Sequence, residues 1–347
     1  MTARGAIAKP SLSRNKAPQM KIAVIGDGGW GTATAMLLSS YGHNVSVWGP
    51  FEDYIDEIRA TRTNSRYLKG VPLPECINWT SDRAQAVADA EIVVLALTSR
   101  YFASVCESFH GLIGPDVTVV SLTKGLCEHS HKRMSELAKE KLSLNRVVVL
   151  SGPSHAEEVA HGIPTAVVAA SEIESAAMLV QKVWSGPAFR VYTSSDPIGL
   201  EIGGAVKNVI AVAVGCSDGL GFGDNTRAAL ITRGLAEMSR FAIACGARRE
   251  TVSGLAGVGD LIVTCTSVHS RNHYVGEQLG KGRGMDEILS SMQMVAEGVW
   301  NARVISCVAE EKGVEMPITE LVVKLCYEGF SARDAISILM NRTMKME

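Results

Sequence analysis

Lys207 and Asn208 are the only strongly polar residues in Gly203–Gly215, GGAVKNVIAVAVG, a segment that otherwise reads as protein interior. Lysine is rarely buried without a partner, and an isolated buried ammonium gives up its proton. Either the Lys207 side chain runs out to the domain surface or it enters a cleft and transfers a proton there. Asn208 cannot share its face and is expected to fix backbone or cofactor amide groups. A second oddity is LAGVGDLIVTC (255–265), whose single acid is Asp260. Pairing Lys207 with Asp260 would remove both burial costs. Ser270-Arg271-Asn272 follows, with a bidentate fork and an amide suited to an oxyanion; as an exposed triplet the same residues would be ordinary surface.

The elements that must position these groups fall into two halves. From Lys21 the chain reads strand (KIAVIG), glycine loop (GDGGWG), helix (TATAMLLSSYGH), strand (NVSVWG). Gly26, Gly28 and Gly31 have the G-x-G-x-x-G spacing between a strand and a helix. In that context Gly26 makes the tight turn, Gly28 admits a pyrophosphate and Gly31 lets the helix pack on the strand. Further apolar strands follow at 91–99, 117–123 and 146–152, and PTAVVAAS and AFRVYTS extend the sheet to about residue 195. Continuous apolar strands fit a parallel sheet covered on both faces. Lys124, at the end of one of them, is placed at the mouth of the dinucleotide site. After Asp196-Pro197 the periodicity becomes helical. The expected fold class is therefore α/β: a Rossmann-type doubly wound sheet over 21–197, then an all-helical domain over 198–347.

Composition narrows the function. Of 347 residues, 46% are hydrophobic and 20% charged, with a net charge of −2. Nothing in that balance suggests a nucleic-acid surface. No run reaches the 18 or so apolar residues of a membrane span. Eight cysteines lack a CxxC pair, which argues against a zinc site or a disulfide framework; no metal is expected. Residues 1–20 carry four basic residues and no acid. They are expected to be a disordered tail or tag, with an organellar transit peptide as the alternative.

Taken in order, VIGDGGWGTA, NSRYLKGVPLP, TKGL, SGPSHAEEVAHGIPTAVV, EIGGAVKNVIAVAVGCSDGLGFGDNTRAALITRGLAEM, LAGVGDLIVTCTSVHSRN and VEMPIT resemble the bacterial type of NAD(P)-dependent glycerol-3-phosphate dehydrogenase, over about residues 21–340. The resemblance implies a cytoplasmic oxidoreductase that interconverts sn-glycerol 3-phosphate and dihydroxyacetone phosphate with NAD(P)H, supplies phospholipid synthesis and forms a homodimer. It implies that Lys207 is the catalytic proton donor and Asp260 its partner. Gly26, Gly28, Gly29, Trp30, Gly31, Lys124, Ala156, Arg271, Val295 and Glu297 would meet the cofactor. Lys124, Gly152, Ser154, Lys207, Asp260, Ser270, Arg271 and Asn272 would meet the substrate.

Some positions depart from the family pattern. Asp27 stands where alanine is usual, Gly29 where serine is common and His155 where phenylalanine is common; Pro50-Phe51 replace basic residues after the second strand. With no acid before Glu52 and with Arg59, Arg62 or Arg271 as the cations in reach, use of both NADH and NADPH within roughly tenfold is expected. Two other readings remain open at this stage. A reductase of a small β-hydroxy acid would use the same lysine and asparagine but needs a carboxylate site, and a silent dinucleotide sensor should lack the Lys207–Asp260 pair.

Overall fold

A computed structural model of the chain describes residues 18–292 and 294–340, so residues 1–17 of the expected tail lie outside the described residues. The first half is built from ten strands: β1 (Lys21–Ile25), β2 (Asn44–Trp48), β3 (Thr63–Asn64), β4 (Leu68–Pro72), β5 (Asn78–Thr80), β6 (Ile92–Leu95), β7 (Thr118–Ser121), β8 (Val147–Ser151), β9 (Thr165–Ala170) and β10 (Phe189–Ser194). Eight of them form one sheet in the order β10-β9-β8-β7-β6-β1-β2-β5, and β3 and β4 pair as a separate ribbon. Side chains alternate between its two covers. Ile22 and Val24 belong to one apolar cluster, Ala23 and Ile25 to another. Both faces are buried, which is why the strands read as unbroken apolar runs.

The sheet is not parallel throughout, as the unbroken apolar runs had suggested. β9 runs antiparallel to β8, and β10 is parallel to β9. The reason lies in the intervening segment, residues 152–164, whose helix is only Ala156–Ala160. Five helical residues span about 7.5 Å, against about 17 Å for a five-residue strand. With so little helix to lead the chain back along the sheet, β9 starts where β8 ends. The expected strand at 91–99 is also shorter, since Ala96, Leu97 and Thr98 leave the sheet as a loop before the helix Ser99–Ser108. The short β3, β4 and β5 were not anticipated.

β10 ends at Ser194 and the helix Pro197–Gly219 begins after two intervening residues, with Pro197 in its first turn and the Asp196 side chain accepting from the Gly199 N–H. Proline is tolerated there because the first-turn N–H would be unpaired anyway. The helix is apolar on nearly every face and packs against the helices Asp224–Ala244, Arg271–Gly280 and Glu297–Glu311. Contrary to the reading that no run attains span length, this 23-residue helix has the length and hydropathy (1.5) of a membrane span, but 89% of that window is buried inside the molecule. It serves as the central post of a second core that includes Val206, Val209, Ile210, Met238, Phe241 and Ile305.

Candidate active site

The loops after β1 and β6 lie side by side, because β1 sits between β2 and β6 and the chain reverses its direction across the sheet there. Ligands bind at such switch points in open α/β sheets. Gly26 has φ of +120°, and any Cβ on it would strike the Ala96 carbonyl. A Cβ on Gly31 would strike the Gly26 carbonyl, so this glycine lets the helix Gly29–Ser40 approach its strand. Gly28, in contrast, has open space on its Cα. No side chain caps the helix that follows it. An uncapped helix N-terminus above an open glycine is a ready anion site, and these residues fit a dinucleotide pyrophosphate.

Across the cleft from this loop, Asp260 lies between two ammonium groups. Lys207 Nζ is 2.8 Å from its Oδ1 and Lys124 Nζ 2.6 Å from its Oδ2. Lys124 also donates to the Gly152 carbonyl at 3.1 Å. Lys207 donates to Thr264 Oγ1 at 2.6 Å, and that hydroxyl in turn donates to the Asp260 carbonyl. Burial would raise the Asp260 carboxyl, but the two lysines override it and hold the group below its usual range. Burial pushes the Lys207 ammonium down to about 8, with Lys124 adding to the shift and Asp260 opposing it. The pairing of Lys207 with Asp260 was anticipated from their common isolation in apolar segments; the third member, Lys124, was not. Asp260 follows a widened π-type turn, Leu255–Gly259, which swings it onto the central helix.

The Ser270-Arg271-Asn272 cluster divides its duties. Ser270 caps the helix Arg271–Gly280, its hydroxyl accepting from the His273 N–H. Asn272 donates to Asn208 Oδ1 at 2.9 Å and accepts from the Gly298 N–H at 2.8 Å, while Asn208 donates to the Gly204 carbonyl. Asn208 thus holds backbone and the neighbouring amide, as anticipated. Arg271 is reached by solvent through the cleft yet ringed by protein, and it forms no hydrogen bond or ion pair among the described residues. Burial lowers its pKa, opposed by Glu297 and Glu157.

Of the other expected site residues, Gly29, Trp30, Ser154, Ala156, Val295 and Glu297 line the same cleft as Lys124, Lys207, Asp260 and Arg271. Gly26, Gly31 and Gly152 lie behind its wall, Gly152 presenting its carbonyl to Lys124 and to the Ser154 hydroxyl. Glu297 accepts from the Ser99 N–H at 2.9 Å and from its hydroxyl, closing the cleft over the helix Ser99–Ser108. Asn301 was missed. Its amide accepts from the Leu126 N–H and donates to the Lys124 carbonyl, fixing the loop that carries Lys124. Nothing in its helical sequence context marks it. His269, in the loop before the helix Arg271–Gly280, lines the cleft beside His155; His273 contacts Asp218 at 2.7 Å.

Comparison with known proteins agrees over both halves. Residues 21–177 match the family model described as NAD-dependent glycerol-3-phosphate dehydrogenase N-terminus, and residues 196–337 match the corresponding C-terminus. The chain is 48% identical over 331 residues to a glycerol-3-phosphate dehydrogenase [NAD(P)+] of Chlorobium phaeobacteroides, covering 94% of this chain and 99% of that protein. It is 48% identical over 329 residues to one of Geobacillus kaustophilus, covering 94% and 96%. Among solved structures it resembles glycerol-3-phosphate dehydrogenase of Coxiella burnetii at 37% identity and a TM-score of 0.90, covering 93% and 99%.

Proposed function

Because this chain belongs to the NAD-dependent glycerol-3-phosphate dehydrogenase family, we propose that its cleft interconverts sn-glycerol 3-phosphate and dihydroxyacetone phosphate, with Lys207 as general acid and base. When bound, the nicotinamide cofactor supplies or receives the hydride. An ammonium has three N–H donors. Lys207 spends one on Asp260 and one on Thr264, and the third is available to a carbonyl oxygen in the cleft. In the reducing direction Lys207 gives that oxygen its proton; in the oxidising direction it takes the proton back. Asp260 positions Lys207 and tunes its basicity. Lys124, held at Asp260 and the Gly152 carbonyl, adds positive charge beside the substrate. Arg271, which makes no hydrogen bond or ion pair among the described residues, holds the phosphate and thereby places the reacting carbon.

The observation that carries this reading is the Lys124–Asp260–Lys207 array beside a dinucleotide loop and an Arg271 that makes no hydrogen bond or ion pair among the described residues. Lys124, Lys207 and Arg271 bring three cations to a cleft also lined by Glu157, Asp260 and Glu297. With Asp260 paired to both lysines and Glu297 accepting from Ser99, Arg271 is left for a phosphorylated substrate, and a silent sensor has no use for a tuned lysine. The test is nicotinamide absorbance with dihydroxyacetone phosphate against a panel of 2- and 3-oxo acids. Turnover confined to the oxo acids would sink the assignment. The cytoplasmic setting, the supply of phospholipid backbones and the homodimer rest on family resemblance. Cell fractionation, glycerol auxotrophy on deletion and sedimentation velocity test them in turn.

A further inference from the structure

We infer that Asp27 receives the ribose of the cofactor's adenosine half and biases the site toward NADH over NADPH. The inference rests on the dinucleotide reading of the glycine loop given above. An NAD-selective loop usually carries its acid at the end of the second strand, where it accepts from the ribose 2′-hydroxyl. Here β2 ends at Trp48 and is followed by Gly49-Pro50-Phe51, and Glu52 and Asp53 stand exposed in the first turn of the helix Glu52–Thr61. Asp27 reaches the vacant end of β2 from the neighbouring strand: a Cβ on Gly49 would lie 2.6 Å from its Oδ2. Asp27 and Gly49 therefore form a matched pair, the missing side chain at 49 making room for the carboxylate.

The backbone that carries the carboxylate is held in place, while one carboxylate oxygen lacks a donor among the described residues. The Gly26 N–H donates to the Trp48 carbonyl at 2.9 Å, tying the two strand ends together. Asn64 Nδ2 donates to the Asp27 carbonyl and to Thr32 Oγ1, both at 2.8 Å. Asp27 is only 8% exposed, and its Oδ2 is buried with no donor among the described residues. A buried acceptor without a donor is costly and calls for an explanation. A ribose hydroxyl is the donor that the site lacks, whereas a 2′-phosphate would set a second anion against the carboxylate. Burial also raises the Asp27 pKa to about 6, as expected of an acid awaiting a donor.

Of the three cations expected to serve a 2′-phosphate, Arg59 and Arg62 are committed elsewhere, and Arg271 is assigned above to the substrate phosphate. Arg59 donates to the Trp79 carbonyl at 2.8 Å and pairs with Asp56; Arg62 donates to the Ile77 carbonyl at 3.4 Å. Arg66, stacked 4.0 Å over the Tyr54 ring, is the nearby exception and acts electrostatically on Asp27. It is the group through which the inference could fail.

The experiment compares NADH with NADPH in wild type, Asp27→Asn, Asp27→Ala and Arg66→Ala. It reads kcat/KM with dihydroxyacetone phosphate at pH 8 and one ionic strength, and cofactor affinity by fluorescence titration. Wild type is expected to favour NADH by more than tenfold, and both Asp27 variants to lower that ratio at least fivefold. Asn is nearly isosteric with Asp, so it isolates the charge if the alanine variant folds poorly. A smaller change in both Asp27 variants overturns the inference. So does a wild-type preference of tenfold or less, or one for NADPH that Arg66→Ala abolishes. If no variant turns over but the affinity ratio shifts as stated, the Asp27 inference stands and the dehydrogenase reading falls.

Discussion

A buried lysine is useful in catalysis only if something keeps its pKa near the working pH. Lys207 sits at about 8 because burial lowers it and Asp260 limits the fall. In the proposed acid–base role, reduction needs the Lys207 ammonium and oxidation the free amine. The rate of dihydroxyacetone phosphate reduction should therefore fall as pH rises through about 8, and glycerol 3-phosphate oxidation should rise over the same interval. Asp260→Asn removes the group that raises Lys207, so both inflections should move to lower pH; unmoved inflections would separate Asp260 from the titration. Lys207→Ala should lower kcat by about 10²–10⁴-fold while leaving dinucleotide titration nearly normal. Adding Asp260→Asn to Lys207→Ala should cost little more, because groups that act as a unit are non-additive. Losses that multiply fully in the double variant would show two independent roles.

Two helices must cross closely for these residues to share one cleft. Lys207 rides on Pro197–Gly219, and Arg271 and Asn272 open Arg271–Gly280. Where they cross, each helix presents glycines four residues apart, Gly215 and Gly219 against Gly276 and Gly280. A Cβ on Gly276 would run into the Val212 carbonyl, and one on Gly215 into the His273 carbonyl. Backbone meets backbone there, so no flexible side chain can yield. Gly276→Ala is expected to cost at least the 1–3 kcal/mol or so typical of overpacking, read as a lower urea midpoint at unchanged m. It should also raise KM for dihydroxyacetone phosphate more than it lowers kcat, since Arg271 shifts with its helix while Lys207 keeps Asp260. A wild-type midpoint in Gly276→Ala would mean that the two helices have room for a methyl group at their crossing.

At the scale of the molecule, the cleft exists because polar ties hold the sheet half to the helical half. Glu201 on the central helix is buried and accepts from Arg133 Nη1 at 2.6 Å and from the Ser135 N–H and hydroxyl at 2.7 Å. Burial raises its carboxyl in spite of Arg133. Arg133→Ala leaves a buried charge without its counter-ion, a loss typically of about 3–5 kcal/mol. The sign with pH follows from proton linkage. A carboxyl raised in the folded state holds its proton longer than in the unfolded chain, so stability falls as pH rises through and above the ordinary carboxyl range. The deficit of Arg133→Ala should therefore be larger at pH 8 than at pH 5, and Glu201→Gln in the same chain should recover part of it. Denaturant titrations at the two pH values decide the matter; an equal deficit at both would mean that Glu201 is not the group responsible.

Much of this protein was written locally. The glycine loop between a strand and a helix, the switch from strand to helical periodicity near 195, and the isolation of Lys207 and Asp260 in apolar segments all follow from short-range patterns. A lone charge among apolar residues carries its own burial cost, so it announces a partner wherever the partner lies. Other features depend on distance in space and had no local mark. The reversal at β9 follows from the length of a five-residue helix, a boundary that periodicity does not resolve. Lys124 joined Asp260, and Asn301 joined the Lys124 loop, only when strands and helices far apart in the chain were packed together. Asp27 was visible as an unusual residue. That it faces the bare Gly49 was decided by the pairing of β1 with β2, because sheet register sets which loop residues meet.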